Sequence, residues 1–90
     1  MIDIDDATIF NSSVATKGMT VEGSMDATFK GDLTLGSTKA VNSGTMSFAA
    51  TSAQTVDGAI EDGTIDIENT GGLVTFDTAL GAGTIVDKIE

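Results

Sequence analysis

A short phrase recurs along this chain and constrains its fold more than any other feature. Gly44-Thr45-Met46-Ser47-Phe48, Gly63-Thr64-Ile65-Asp66-Ile67 and Gly83-Thr84-Ile85 follow one order: glycine, threonine, apolar, then any residue and a second apolar one where the phrase is complete. Their starts lie 19 and 20 residues apart. Self-similarity at a period of about 20 residues is the mark of stacked coils, in which each coil buries its apolar side chains only against its neighbours. The expected fold is therefore all-β: a right-handed parallel β-helix with coils of about 20 residues, filling 1–90 as a single segment. The clearest repeats run over 44–90, and a longer, irregular coil lies near 19–44.

Local patterning supports strands over helices. Met19-Thr20-Val21-Glu22, Asp32-Leu33-Thr34-Leu35, Thr45-Met46-Ser47-Phe48, Thr64-Ile65-Asp66-Ile67 and Val74-Thr75-Phe76-Asp77 alternate apolar with polar. That is the period of a strand with one dry and one wet face. No window carries the i, i+3, i+4, i+7 spacing of an amphipathic helix. Glycine-containing breaks at Gly23-Ser24, Gly36-Ser37, Asn42-Ser43-Gly44, Asp62-Gly63, Asn69-Thr70-Gly71-Gly72 and Gly81-Ala82-Gly83 supply corners. The expected inward set is Ile2, Ile4, Ile9, Met19, Val21, Met25, Phe29, Leu33, Leu35, Met46, Phe48, Val56, Ile60, Ile65, Ile67, Val74, Phe76, Leu80 and Ile85. Stacking in register would place Met46, Ile65 and Ile85 in one interior column and Thr45, Thr64 and Thr84 in one exterior column. The longer coil would run about 26 residues, with its extra stretch at Lys39 to Ser43. An antiparallel β-sandwich is the alternative, since strands at 8 to 12 residue spacing fit it too.

From Gly44 onward the wording resembles the passenger-domain repeats of large bacterial autotransporter surface antigens of the rickettsial outer-membrane-protein type. The residues that carry it are Thr45-Met46-Ser47-Phe48, Ser52-Ala53-Gln54-Thr55-Val56-Asp57-Gly58-Ala59-Ile60 and Asn69-Thr70-Gly71-Gly72-Leu73-Val74-Thr75-Phe76. The resemblance covers roughly the second half of the chain. It implies a β-helix projecting from a bacterial surface, extracellular, serving adhesion or coat formation. The family has no single binding motif, so no residue role is carried over. The coils are also similar to bactofilins, short β-helical proteins that polymerise end to end, whose coils are shorter and more regular.

Charge narrows the partners. Fourteen acidic residues face four lysines, with neither arginine nor histidine, for a net charge of −10. Binding to phosphate backbones needs clustered cations, so nucleic acid is not an expected partner. Anionic lipid is disfavoured for the same reason. No apolar stretch approaches the ~20 residues of a membrane helix, so insertion by this segment is not expected.

Catalysis has little to draw on. Without histidine or cysteine, triads and dyads of the usual kind are excluded. The acids are expected to be solvated surface groups, and the chain is expected to be no enzyme and to carry no organic cofactor. Calcium is the cation their oxygens would suit. The densest groups are Asp3, Asp5 and Asp6, and Asp57, Glu61 and Asp62, but neither forms an EF-hand loop.

The strongest functional expectation is assembly. The ends of a β-helix expose unpaired backbone groups, and neither Met1-Ile2-Asp3-Ile4 nor Ile85-Val86-Asp87-Lys88-Ile89 reads as a polar cap. Ile2, Ile4, Ile85 and Ile89 mark ends expected to pair with identical copies or with the remainder of a longer chain. Two functions fit: a structural, non-catalytic segment of a bacterial surface fibre or adhesin (or a subunit stacking into a filament), or a β-sandwich subunit of a virion or appendage.

Overall fold

In the first half of the chain, three short alternating segments are separated by breaks, and the pattern then starts again. The structure, a computed structural model, describes residues 1–78 and the backbone of Lys88–Ile89. In chain order the strands are β1 (Ile2–Ile4), β2 (Thr8–Phe10), β3 (Val14–Ala15), β4 (Met19–Val21), β5 (Asp26–Phe29), β6 (Leu33–Asn42), β7 (Thr45–Phe48), β8 (Gln54–Glu61), β9 (Thr64–Ile67), β10 (Val74–Phe76) and β11 (Lys88–Ile89). Every pairing among them is parallel. This is a parallel β-solenoid of about four coils, and the antiparallel sandwich is excluded.

Each coil visits three faces. The first stacks β1, β4 and the C-terminal halves of β6 and β8. The second stacks β2, β5, β7, β9 and β11. The third stacks β3, the N-terminal halves of β6 and β8, and β10. Within β6 and β8 the chain turns from the third face to the first, and the ladder between them is interrupted at the turn, where Leu35 to Thr38 stand against Gly58. Gly58 makes the β8 turn at φ 127°, and a Cβ there would collide with Leu35 of the coil before it. The next corner uses Asp62 and Gly63, with φ of 62° and 64°. Two consecutive left-handed residues make this corner, a conformation that glycine and aspartate adopt more readily than other residues.

The interior is a thin tube of side chains in register. Ile2, Met19, Ala40 and Ile60 make one column, and Val14, Leu33, Val56 and Phe76 another. On the second face Phe10, Phe29, Phe48 and Ile67 align. There the rings of Phe10 and Phe29 stack at 5.1 Å, those of Phe29 and Phe48 at 5.4 Å, and Phe76 meets Phe48 edge-on at 5.6 Å. Offset stacking of this kind adds about 0.5–1.5 kcal/mol per pair beyond area burial.

Two polar residues occupy interior positions and are fully paired. Asn42 follows Ile4 and Val21 in their column. Its Nδ2 donates to the Thr64 carbonyl and its Oδ1 accepts from the Gly44 amide. Gln54 donates through Nε2 to the carbonyls of Phe29 and Gly31, and its Oε1 accepts from the Ala50 amide and from Asn69 Nδ2. Asn69 in turn accepts from the Gly71 and Gly72 amides. A buried amide left unpaired would cost about 1–3 kcal/mol, so these networks fix the corners between coils.

Several expectations are corrected. Ile9 points outward and is 60% exposed, while Thr8 and Phe10 face inward. A ring with a stacking partner has more to gain from burial than an isoleucine. Ile67 shares the Phe48 column but remains 37% exposed. Ala27 and Ala40 are buried instead, small residues beside the large rings and Met side chains. The irregular coil is shorter than expected, because Met19 aligns with Ala40. Its irregular stretch is Leu35 to Thr38, which stands against the single residue Gly58 of the next coil, while Lys39 to Asn42 are ordinary strand. Met46 and Ile65 are neighbours, as are Thr45 and Thr64. The next rung, however, holds Lys88 and Ile89 in place of Thr84 and Ile85. A shift of four is even, so either wording presents the same alternation to the ladder. Leu80, Gly81 to Gly83, Thr84 and Ile85 lie outside the described residues.

Candidate functional site: the open edge of the first coil

In a parallel ladder each residue sends its N–H and C=O to one side, and its neighbour sends them to the other. In β1 the Ile2 amide donates to the Gly18 carbonyl, and the Ile4 carbonyl accepts from the Glu22 amide. Those residues therefore face the second coil, and the N–H and C=O of Asp3 point away from it. In β2 the Phe10 carbonyl accepts from the Lys30 amide, which turns the backbone groups of Ile9 outward. In β3 the Val14 amide donates to Asp32, leaving those of Ala15 outward. Among the described residues no strand pairs with β1, β2 or β3 on that side. Three rungs thus end on the same open edge.

The side chains behind this edge are incompletely covered. Ile2, Phe10 and Val14 are half-buried, whereas Met19, Phe29 and Leu33, one coil further in, are fully buried. The difference has one cause: the inner coil has neighbours on both sides. Ile2 and Ile4 were expected to mark this end. They do so through inward side chains, Ile4 being nearly fully buried, while the free backbone groups belong to Asp3, Ile9 and Ala15. At the other marked end, Ile89 pairs with Ile65, and Ile85 lies outside the described residues.

The rim is acidic. Asp3, Asp5 and Asp6 are exposed on the first coil, and Glu22 follows β4 beside them. A hydrogen bond with the Asp3 carboxyl and the negative charge of Asp3 raise the Glu22 carboxyl above its ordinary value of 4.5, with Asp5 adding to the repulsion. Glu22 was not among the expected site residues. The coil spacing was the signal that could have found it, because Ile4 aligns with Val21 and so brings Asp5 and Glu22 to one rung.

The second acidic group is dispersed by the turn at Gly58. Asp57 lies on the third face opposite Thr34, and Glu61 lies on the first opposite Val41. Glu61 pairs with Lys39 Nζ at 3.2 Å, its side chain 8% exposed, and Asp62 forms the left-handed corner. Among the described residues, no three carboxylates are grouped so as to hold a metal ion.

A shallow, open depression of about 480 Å³ lies beside the irregular stretch of the second coil. Met1, Ala15, Thr16, Lys17, Thr34, Leu35 and Gly36 line it. Its polar side chains are Thr16, Lys17 and Thr34, and the Thr16 hydroxyl donates to the Gly18 carbonyl. Among the described residues, no helix is long and apolar enough to cross a membrane. In comparisons with known proteins the chain matches no family model, no curated protein and no solved structure.

Proposed function

We propose that this chain is a non-catalytic structural solenoid segment that works by stacking coil upon coil. Its neighbours would be the remainder of a longer chain or identical copies. The half-covered first coil carries this reading: three aligned rungs with free backbone groups, over side chains whose equivalents one coil inward are sealed. The resemblance of the wording after Gly44 to autotransporter passengers supports a setting in a bacterial surface fibre or adhesin.

Supplying the missing neighbour tests the reading. Ala40 occupies the column of Ile2 one coil beyond Met19, so a duplicate of residues 19–39 fused ahead of Ile2 continues the ladder in register. The added coil should bury Phe10, Ile2 and Val14 and stabilise the chain by about 2–4 kcal/mol in urea unfolding. An added coil that leaves stability unchanged and the Phe10 ring accessible would refute the stacking role.

A further inference from the structure

The corner between β2 and β3 carries an acceptor motif that the stacking role does not use. We propose that Asn11, in Asn11-Ser12-Ser13, is a site of N-linked glycosylation, its side-chain amide taking a sugar from a glycosyl diphosphate donor. The inference goes beyond the stacking role and stands independently of it. Asn-x-Ser, with x other than proline, is the acceptor pattern for this transfer. The hydroxyl two residues on assists an amide nitrogen that is a poor nucleophile by itself.

The asparagines of this chain are Asn11, Asn42 and Asn69, and the fold uses them differently. Asn42 Nδ2 donates to the Thr64 carbonyl, and Asn69 Nδ2 donates to the Ser52 carbonyl and to Gln54 Oε1. Each also accepts, through Oδ1, from the amide of the glycine two residues on. Both are therefore committed to their own corners, and neither has a hydroxyl residue at that position. Among the described residues, no side-chain hydrogen bond holds Asn11. Asn11, Ser12 and Ser13 are all exposed.

The corner presents the motif outward. The chain bends at Ser12, within the motif itself, and what it turns toward the second coil is backbone. A Cβ on Gly31 would stand 2.6 Å from the Ser13 nitrogen and 2.7 Å from the Ser12 carbonyl carbon. This exposure belongs to the position and not to the end of the stack. Phe10 aligns with Phe29 and Val14 with Leu33, so Asn11 corresponds to Lys30 and Ser13 to Asp32. Lys30 and Asp32 are exposed although their coil has neighbours on both sides. Glu68, which follows Ile67 in the Phe48 column, is exposed as well. A position that sends lysine and glutamate into solvent in other coils has room for a sugar beside the stack. The flanking ladder bonds, from the Lys30 amide to the Phe10 carbonyl and from the Val14 amide to the Asp32 carbonyl, are backbone bonds that the sugar leaves intact. Transfer forms a bond between the sugar C1 and Asn11 Nδ2 and breaks the bond between C1 and the donor's phosphate oxygen. The diphosphate leaves with the electron pair, and Nδ2 gives up one proton. A nucleoside diphosphate sugar and a polyprenyl diphosphate sugar share this chemistry, and a separate transferase brings either one to the corner.

The test is intact-mass and peptide-mapping mass spectrometry on the purified, folded chain, with circular dichroism confirming the fold. One arm supplies a soluble asparagine glycosyltransferase with a nucleoside diphosphate hexose. The other supplies an oligosaccharyltransferase with a polyprenyl diphosphate oligosaccharide. The chain should gain one sugar unit, mapped to Asn11, and the arm that delivers it identifies the donor. Asn11→Gln and Ser13→Ala should each lose the added mass, while Ser13→Thr, which keeps a hydroxyl, should retain it. These substitutions lie on an exposed corner, and their circular dichroism spectra should match that of the parent chain. Sugar on Asn42 or Asn69, or added mass that persists in Asn11→Gln, would overturn the assignment. A folded chain left unmodified in both arms would overturn the site, and a peptide of residues 7–17 modified under the same conditions would trace that failure to the folded corner. None of these outcomes bears on the stacking role, which the added-coil experiment decides separately.

Discussion

Replacing Phe29 by leucine removes the centre of the aromatic column while keeping an apolar side chain of similar bulk. The shape change alone costs up to about 1.5 kcal/mol. Phe29 also stacks on two rings, at 5.1 and 5.4 Å, and each pair contributes about 0.5–1.5 kcal/mol. Phe29→Leu should therefore cost about 2–4 kcal/mol. For a domain of this size that lowers the melting temperature by roughly 10–25 °C. Phe10→Leu loses one stacking partner at a half-covered site and should cost only about 0.5–2 kcal/mol. Urea unfolding followed by far-ultraviolet circular dichroism would measure both, and the double variant closes a cycle whose coupling term should be about 0.5–1.5 kcal/mol. Equal costs for the two single variants, or a coupling indistinguishable from zero, would show that the rings are merely adjacent and that the column contributes nothing as a column.

Gly58→Ala should destabilise far more than Gly36→Ala. Both have positive φ, but a Cβ at Gly58 meets Leu35, whereas one at Gly36 meets open space; comparison of thermal melts checks this, with about 1 kcal/mol expected at Gly36. Gln54→Leu strands the carbonyls of Phe29 and Gly31 together with the Ala50 amide, and should cost about 2–5 kcal/mol in the same urea assay. The Glu22 carboxyl is raised in the folded chain, so the folded state binds that proton more tightly than the unfolded state does. Its repulsion with Asp3 weakens stability at neutral pH, and stability recovers as pH falls through the raised value toward the ordinary 4.5, below which nothing further is gained. Glu22→Gln should abolish that recovery in melts taken across this range, and a profile identical to that of the parent chain would remove Glu22 from the account.

The parallel stack was readable because alternation and recurrence agree. Thr45 and Met46 do sit beside Thr64 and Ile65. A clearer ruler was present in Phe10, Phe29 and Phe48, spaced 19 residues apart, since rings that stack must recur at the coil length. Ile9 misled because apolar character alone does not choose a face; the register chooses it, and Phe10 set the register. Asn42 and Gln54 could not be assigned to the interior from sequence, because their burial depends on partners such as Thr64 and Gly31 supplied by other coils. Alternation continues on both sides of Leu35 to Thr38, so the sequence alone places the irregularity at Lys39 to Ser43, a few residues too late. The acidic rim was half legible: Asp3, Asp5 and Asp6 are contiguous enough to notice, but Glu22 joins them only once the ladder is known.

The coil-by-coil register also governs how such a chain folds. Each strand finds its partner about 20 residues away, and that separation does not grow as coils are added. Closing the first loop carries an entropy cost that one coil interface must repay, so the first pair of coils is the slow step, and later coils add to a template already formed. Lengthening the solenoid should therefore raise its stability with little penalty in folding speed, unlike sheets whose partners lie ever further apart along the chain.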